Sequence, residues 1–459
     1  MLVAVDPVRP SSPLLQDPRD GRRHTWRAFL YVSHGCAAFG ERMWEFEAGI
    51  LLLVATGGTS LRLTASLQLA TLLSAFFLGS HVGRLVDRGG QLAVPMASLA
   101  LQSVSIALAA LSAMSALGTF QSVSQDVGVA GVIIFGCVAK LASLGSTLSV
   151  EKRWAVALAN GNSGVLADMN GRMRCIDLRC KILAPSVAGV VMTWVGPAVG
   201  AGLVALINTL AWPVEAACLA AVHRDPWCNA RLEAPRDGAM ASGPAVEAGA
   251  PRARCSSWRL YFSQRIWPSA FALSLTHLTV LSFGNIMSAN ILTLGVSAAV
   301  ISLCRSAGEI FGLLATWLSP LAIKRKGPAS GAVLFIWFQL VVLTPAVVGA
   351  SAWAREHMPL AVAVLLLVSG VGVARLGLWG FDMCVTQLLQ EFVRPASAVG
   401  EVGGVQKSFE NFFGAAAALV SMLMPAPSQF GMLALGSWAA VCSAALLHTV
   451  TFRSGSETS

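Results

Sequence analysis

The segment GRLVDRGG occupies residues 83–90 and lies between two apolar stretches, 61–82 and 91–116. Each stretch is long enough to cross a bilayer, because a membrane helix needs about 20 mostly apolar residues. The segment between them is short, charged and rich in glycine, which is typical of a tight turn outside the hydrocarbon. This part of the chain is therefore predicted to cross a membrane twice, with a charged loop between the crossings.

Apolar stretches of this length recur along the whole chain. In the first half they lie near 29–56, 61–82, 91–116, 126–149, 176–195 and 197–222, and in the second half near 266–290, 295–321, 329–350, 359–383, 403–425 and 430–452. We therefore predict an all-α polytopic membrane protein with 12 transmembrane helices. Its predicted parts are an N-terminal tail (1–27), a six-helix N-lobe (28–222), a polar linker (223–258), a six-helix C-lobe (259–453) and a C-terminal tail (454–459).

Composition and charge support a membrane protein. Of the 459 residues 55% are hydrophobic and only 12% are charged, which excludes a disordered chain and disfavours a water-soluble enzyme. The net charge is +9, but the basic residues follow spans two, four, eight and twelve, and the gaps after spans three, five, seven and eleven contain none. This alternation predicts cytoplasmic termini rather than nucleic-acid binding. The ten Cys show no metal-binding spacing, and residues 1–27 lack the pattern of a secretory signal.

The loop at 83–90 is similar to the G-x-x-x-D-R-x-G signature of the major facilitator superfamily, whose two six-helix lobes enclose a central site. A major-facilitator-like fold is therefore expected. Asp87 and Arg88 would then form a cytoplasmic latch that pairs with the other lobe in one state and releases it in another. The alternative interpretation is a solvated turn beside a helix end.

Ionisable residues inside predicted spans are costly and suggest function. Span one contains His34, Glu41 and Glu45 on one helix face, because successive residues are 100° apart. Two carboxylates on one face repel unless a cation or a proton joins them, which favours a divalent-cation site with proton coupling. The alternative pairs Glu41 or Glu45 with Arg42 or Lys140 as structural ion pairs.

Other polar residues in the spans extend the candidate set. Asn208 and Glu215 share one face of span six, and span three contributes Gln102 and Ser103. Oxygen ligands of this kind suit a hard or borderline divalent metal, although singly these residues are expected to hydrogen-bond neighbouring helices. In the second half the candidates are His277, Asn285 and His448, with a helix break expected at SFGN (282–285), while Arg375 and Asp382 are expected to pair with each other.

Longer blocks resemble the ferroportin family, solute carrier family 40, and suggest a plant- or alga-like member. These blocks are GERMWEF at 40–46, the loop into span five at 169–189, the start of the second lobe at 263–284, and the span-ten and span-eleven blocks at 374–391 and 403–413. The resemblance implies an iron(II) exporter with one metal site per lobe, alternating access and proton antiport. Such a protein is not an enzyme.

The resemblance also implies roles for individual residues. The N-lobe metal site falls on Glu41 and Glu45, within a wider cage that could also hold Ca²⁺ and comprises Gln102, Ser103, Asn208 and Glu215. The C-lobe metal site falls on Asn285 and His448. The cytoplasmic gate falls on Asp87, Asn170, Arg174 and Asp177. Arg84 and Arg153 stand where the family has acidic gate residues, so the gate pairs are expected to differ.

Several alternatives stay open at this point. The transported metal could be iron, cobalt, nickel, zinc or manganese, and no resident cofactor is expected. A facilitator for a small organic solute, an intramembrane metalloenzyme and a receptor that does not transport are the rival functions; the HExxH spacing of one large metalloenzyme class is absent. The chain is expected to act as a monomer with metal ions, protons and lipid as partners. The sequence does not choose between plasma membrane, vacuole and plastid envelope.

Overall fold

The computed structural model describes residues 25–55, 62–119, 124–234, 257–282, 287, 291, 298–351, 356–424 and 429–456. Helices make up nearly all of this part of the chain, and it contains no strand. The helices are α1 (Thr25–Ala55), α2 (Arg62–Arg88), α3 (Ala93–Ala116), α4 (Gln125–Ala159, with a π-helical stretch at Leu148–Trp154), α5 (Ser163–Val195), α6 (Pro197–Arg224), α7 (Pro226–Leu232), α8 (Ser257–Ser263), α9 (Trp267–Leu275), α10 (Ala298–Lys326), α11 (Pro328–Ala350), α12 (Leu360–Phe392), α13 (Val399–Leu423) and α14 (Phe430–Ser456).

Seven of the described helices are long and apolar enough to cross a membrane, namely α2, α3, α4, α6, α11, α12 and α14. Four helices of comparable length, α1, α5, α10 and α13, carry more charge. Three of their acidic residues, Glu47, Glu309 and Glu410, are buried inside the protein. Because lipid does not solvate a charge, side chains of this kind are tolerated where protein or a water-filled cavity surrounds them.

Eleven of the twelve predicted spans overlap a long helix among the described residues. Several helices continue further at their polar ends: α5 begins at Ser163 rather than at 176, and α12 ends at Phe392 rather than at 383. The block 169–189 is therefore helical throughout, and the expectation that its residues before 176 form a loop into span five was wrong. Hydropathy detects the part of a helix in hydrocarbon, whereas backbone hydrogen bonds and packing decide where the helix ends.

The seventh predicted span is interrupted. It forms a helix over α9, and the backbone leaves the helix at Thr276, before the expected break at SFGN. Hydroxyl groups satisfy part of the freed backbone: the Thr276 hydroxyl donates to the Leu273 carbonyl oxygen at 2.6 Å, and the Val280 N–H donates to the Ser437 hydroxyl at 2.9 Å. Irregular backbone at membrane depth is tolerated only with such partners. Residues 283–286, and with them Asn285, lie outside the described part of the chain.

Each half of the chain packs around its own apolar core. Met43, Ile106 and Val204 lie in the core of the first half, and Ile336 and Phe381 lie in the core of the second. The two halves meet mainly where α2 lies along α13 and α5 lies along α10. The described helices thus form two bundles that touch along two helix pairs.

Glycines allow α2 and α13 to approach closely. Gly79 and Gly83 on α2 face Gly400 and Gly404 on α13. A Cβ atom on Gly83 would lie 2.3 Å from the Gly400 carbonyl oxygen, and one on Gly404 would lie 2.4 Å from the Gly79 carbonyl oxygen. Small residues four positions apart permit this kind of backbone contact between membrane helices. A larger side chain at any of these positions would force the two bundles apart.

We expect Gly83→Val to weaken this contact. Overpacking costs about 1–3 kcal/mol, which lowers the ratio of the closed to the open arrangement by about 5- to 150-fold. Hydrogen–deuterium exchange of the first turns of α13 should then become faster. Gly414→Val is the matched control, because Gly414 also lies on α13 but has open space where a Cβ atom would lie. Equal exchange rates in the Gly83 variant and the wild type would contradict the prediction.

Candidate metal site between the lobes

A cavity of about 800 Å³ lies between the two bundles. It reaches from Thr64 near the start of α2 and Ser421 near the end of α13 down to Arg174 on α5. The ionisable side chains that line it are His34, Glu41, Arg42, Lys140, Glu151, Lys152, Arg174, Asp177, His277, Lys407 and Glu410. This concentration of charge in a chain with 12% charged residues makes the cavity the candidate functional site.

Contacts between the bundles close one end of the cavity. Arg174 Nη2 on α5 lies 2.5 Å from Asp382 Oδ2 on α12, and Asn170 Nδ2 donates to Gln390 Oε1 at 2.6 Å. We call this layer of four side chains the floor. The helix segments around the floor are rich in basic residues, and we call this the basic end of the molecule. These residues are Arg84, Arg88, Arg153, Arg172, Lys324, Arg325 and Lys326. Further pairs across this end join Lys324 to Asp168 and Gln387 to Ser163.

Asp87 joins the two bundles at the basic end. Its carboxylate accepts hydrogen bonds from the backbone N–H groups of Gly400 at 3.0 Å and Glu401 at 2.6 Å. These residues begin α13, and a helix start favours a carboxylate because its N–H groups are free and its dipole is positive. Asp87 thus contacts the other lobe, as expected for one state, whereas Arg88 is exposed.

The two arginines that replace acidic gate residues of the family have different partners. Arg84 Nε lies 4.0 Å from Glu401 Oε1, so this residue forms a loose ion pair with the other lobe. Arg153 donates to the carbonyl oxygens of Val86 and Gly89 and stays within its own lobe. At these two gate positions the structure therefore has one loose ion pair, made by Arg84, and hydrogen bonds to backbone carbonyl oxygens, made by Arg153.

The acidic pair of α1 surrounds a lysine. Lys140 Nζ on α4 lies 3.1 Å from Glu41 Oε1 and 2.9 Å from Glu45 Oε1, and Arg42 forms a second ion pair with Glu45. The side chains of Glu41 and Glu45 are 17% and 39% exposed, and that of Lys140 is 31% exposed. The ion pairs anticipated as the alternative to a metal site are thus present in this conformation. The lysine ammonium occupies the position that a bound cation would take between the two carboxylates.

The wider cage is only partly assembled. Gln102 lines the cavity with Glu41, whereas Ser103, Asn208 and Glu215 are buried and are not among the lining residues. Asn208 donates to the Val204 carbonyl oxygen at 2.9 Å and lies so close to Gly40 that a Cβ there would be 2.2 Å from its Oδ1. Glycine at position 40 is therefore needed for α6 to place this amide against α1.

Of the two C-lobe candidates, only His448 lies in the described part of the chain. His448 is 1% exposed, with Nδ1 2.9 Å from the Ser269 hydroxyl and Nε2 3.2 Å from the Ala329 carbonyl oxygen. Both ring nitrogens therefore have partners, and the ring does not line the cavity. A metal ion could bind His448 only after one of these contacts is exchanged.

The pairing expected within α12 was wrong. Asp382 pairs with Arg174 on α5, and Arg375 Nη1 lies 3.4 Å from Glu309 Oε1 on α10. Seven residues on a helix rise about 10 Å, and each of the two side chains has an opposite charge nearer to it on a neighbouring helix. Each side chain instead reaches a neighbouring helix.

Two charged groups of the cavity were not found from the sequence. One joins His34, Glu151 and Asp177 beside the floor. The other joins Lys407, Glu410 and His277, with Lys407 Nζ 2.6 Å from Glu410 Oε2 and His277 Nε2 3.6 Å from the same atom. Glu151 lies beyond the predicted end of span four, and Lys407 and Glu410 lie in a span selected for its apolar residues. The sequence signal that could have revealed these two groups is the presence of acidic and basic residues within or next to apolar spans.

Comparison with known proteins agrees with this architecture. The family described as Ferroportin1 (FPN1) matches residues 24–441. A rice protein named solute carrier family 40 member 1 is 34% identical over 438 residues, covering 92% of this chain and 90% of the relative. A crystal structure of a bacterial homologue of the iron transporter ferroportin in an outward-facing state superposes with a TM-score of 0.79 at 22% identity, covering 93% of this chain and 99% of that one.

The general fold is shared more widely. A major facilitator superfamily proton:xylose symporter superposes with a TM-score of 0.67 at 11% identity, covering 93% of this chain and 96% of that one. The predicted major-facilitator-like fold is therefore confirmed. With a family match over nearly the whole length and two helical bundles around a charged cavity, the chain belongs to the ferroportin family and is an integral multi-pass membrane protein.

Proposed function

We propose that the protein exports a divalent metal ion, with iron(II) as the first candidate, by alternating access coupled to proton uptake. Membership of the ferroportin family supports export of a metal. The observation that carries the proposal is that Glu41 and Lys140 line the cavity and that Glu41 shares the Lys140 ammonium group with the carboxylate of Glu45. Such a pair needs a positive partner, and a divalent ion can replace the lysine when it enters.

The basic end supports a direction for transport. Basic loops stay cytoplasmic, so the floor closes the cytoplasmic side and both termini lie in the cytoplasm. The cavity runs from the floor to the opposite ends of α2 and α13, which corresponds to an outward-facing state. Metal would bind when the floor is open, the lobes would rock, and the metal would leave outward while protons neutralise the carboxylates.

Gln102 would assist the N-lobe site, with Ser103, Asn208 and Glu215 behind it, and these oxygen atoms could also accept Ca²⁺. Asn285 and His448 remain the proposed C-lobe site. Asp87, Asn170, Arg174 and Asp177 act as the cytoplasmic gate. The host membrane is the plasma membrane, a vacuole or a plastid envelope, and the proposed unit is a monomer.

We expect the double change Glu41→Gln and Glu45→Gln to reduce metal flux by at least about tenfold, because even the loss of an outer partner of a metal ligand costs that much. Flux of Co²⁺ or Fe²⁺ would be measured in proteoliposomes with a metal-sensitive dye and a pH-sensitive dye. Glu47→Gln is the matched control: this carboxylate lies on the same helix but is fully buried away from the cavity. Wild-type flux in the double variant would reject the N-lobe assignment.

A small organic solute is the second candidate, and the size of the cavity favours it. A volume of about 800 Å³ is within the range of small-molecule pockets and far larger than one ion needs. Lys152 lines this cavity, is 6% exposed and makes no ion pair or hydrogen bond among the described residues, which would suit an anionic solute. Vesicles that take up carboxylic acids without any divalent metal would favour this function over metal export.

A further inference from the structure

Three metal-ligating side chains from three helices meet beside the floor. His34 on α1, Glu151 on the π-helical stretch of α4 and Asp177 on α5 all line the cavity. His34 Nε2 lies 3.0 Å from Asp177 Oδ1 and 3.8 Å from Glu151 Oε1, and all three ligand atoms lie within 4.8 Å of one another. Among the described residues no other three His, Cys, Asp or Glu side chains come together in this way.

The spacing is close to what coordination requires. Ligand atoms about 2.1 Å from a metal ion are about 3.0–3.4 Å from each other in octahedral or tetrahedral geometry. The three side chains therefore need only small movements to surround an ion. The His34 side chain is only 10% exposed, and its Nε2 forms ion pairs with both carboxylates but no well-aligned hydrogen bond with the described residues. A buried imidazole nitrogen without a hydrogen bond is unusual and is available to a ligand.

The backbone brings Glu151 to this position. It lies in the π-helical stretch Leu148–Trp154, where the helix takes an extra residue in its turn. Such stretches inside α-helices occur often at functional sites, because they redirect one side chain without ending the helix. On the opposite side, Arg174 Nη1 lies 3.7 Å from Asp177 Oδ2 and leaves Oδ1 facing His34.

We propose that His34, Glu151 and Asp177 form a separate metal-binding site of the first lobe. One imidazole and two carboxylates balance the charge of a divalent ion and suit borderline metals such as Co²⁺, Fe²⁺, Zn²⁺ or Mn²⁺ better than Ca²⁺, which prefers oxygen ligands alone. The site is distinct from Glu41 and Glu45, because seven residues of helix place His34 about 10 Å from Glu41 along α1.

The position of this site gives it a specific role, which rests on the proposed function. Asp177 is paired with Arg174, and Arg174 also holds Asp382 in the floor. An ion at this site thus lies one side chain from the contact that closes the basic end. A metal that crosses the floor reaches this site before it reaches Glu41, so the three ligands form a first station on the transport path.

The test is a titration of the purified full-length protein with Co²⁺, followed by calorimetry and by the visible absorption of bound Co²⁺. We expect the double change His34→Gln and Glu151→Gln to lower the number of bound Co²⁺ ions by one per chain. The visible absorption of Co²⁺ bound to a nitrogen ligand should disappear with that ion. Glu41→Gln with Glu45→Gln should retain that ion. His223→Gln with Glu233→Gln is the matched control, because these residues form a similar pair outside the cavity, with Nε2 and Oε1 3.9 Å apart.

The outcomes separate this site from the proposed function. An unchanged Co²⁺ stoichiometry in the His34 and Glu151 variant, or displacement of that Co²⁺ by excess Ca²⁺, would overturn the site even if vesicles transport metal. If the wild-type protein binds this Co²⁺ ion but shows no metal flux in vesicles, the result contradicts the proposed function and leaves the site standing. If the double variant fails to fold, as judged by its melting temperature without metal, the isosteric single change Glu151→Gln decides by a Co²⁺ affinity at least about tenfold weaker than that of the wild type.

Discussion

Replacing Arg174 with alanine should open the floor and shift the protein away from the conformation described here. Arg174 and Asp382 are 19% and 8% exposed, and their ion pair joins the two lobes directly. Removing one partner of a buried pair costs about 3–5 kcal/mol, because the other charge is left without compensation. This cost corresponds to a fall of about 150- to 4,000-fold in the ratio of closed to open floor.

Hydrogen–deuterium exchange provides the measurement. The peptides at the start of α5 and the end of α12 should lose protection in Arg174→Ala, and metal flux should fall because the cavity no longer closes at the basic end. The charge exchange Arg174→Asp with Asp382→Arg should restore part of the protection. Arg172→Ala is the matched control, since this arginine is exposed two positions away on the same helix. Protection equal to the wild type in the Arg174 variant would mean that the floor does not depend on this pair.

Replacing Lys140 with glutamine should make the N-lobe carboxylates bind divalent metal more tightly. The ammonium group now lies 3.1 Å and 2.9 Å from the carboxylate oxygens of Glu41 and Glu45, so an ion must displace it in order to bind. Hydrogen bonds to charged groups contribute about 1.5–3 kcal/mol, and removing this competition should lower the dissociation constant for Co²⁺ by about tenfold or more. Transport should become slower at saturating metal, because release then costs more.

Stability distinguishes a transport role of Lys140 from a structural one. Without metal, the glutamine variant should melt at a lower temperature, because Glu41 and Glu45 then repel each other and only Arg42 compensates them. Added divalent metal should restore the melting temperature. Lys140→Arg, which keeps the charge, is the control and should behave like the wild type. A variant that stays unstable with saturating metal and binds Co²⁺ as weakly as before would show that the ion pairs are purely structural.

Sequence patterns predicted the membrane class and most of the helices. Apolar runs near 20 residues have few alternatives, because only a helix satisfies its own backbone inside lipid. The same patterns failed at polar helix ends, where α5 and α12 extend beyond the apolar runs, and at Thr276, where α9 ends and a hydroxyl group adds to the remaining backbone hydrogen bonds. Hydropathy contains no information on such contacts.

The candidate site was predictable only in part. Glu41 and Glu45 could be identified because two acidic residues inside an apolar span need a positive partner. The sequence also showed that this partner could be either a metal ion or Lys140. The partners of Asp382 were not evident: helical periodicity relates residues of one helix, whereas Asp382 meets Arg174 from another lobe. The same limit hid the group of His34, Glu151 and Asp177, which come from three different helices.

The sequence by itself determined that this protein crosses a membrane many times and that α1 carries an acidic face. These properties follow from local composition and from the cost of placing charge in lipid. The tertiary structure alone decided which charges meet: Lys140 between Glu41 and Glu45, Asp87 at the start of α13, and Arg174 with Asp382. Those pairs depend on how two bundles dock, and docking is set by side-chain packing between residues far apart in the chain.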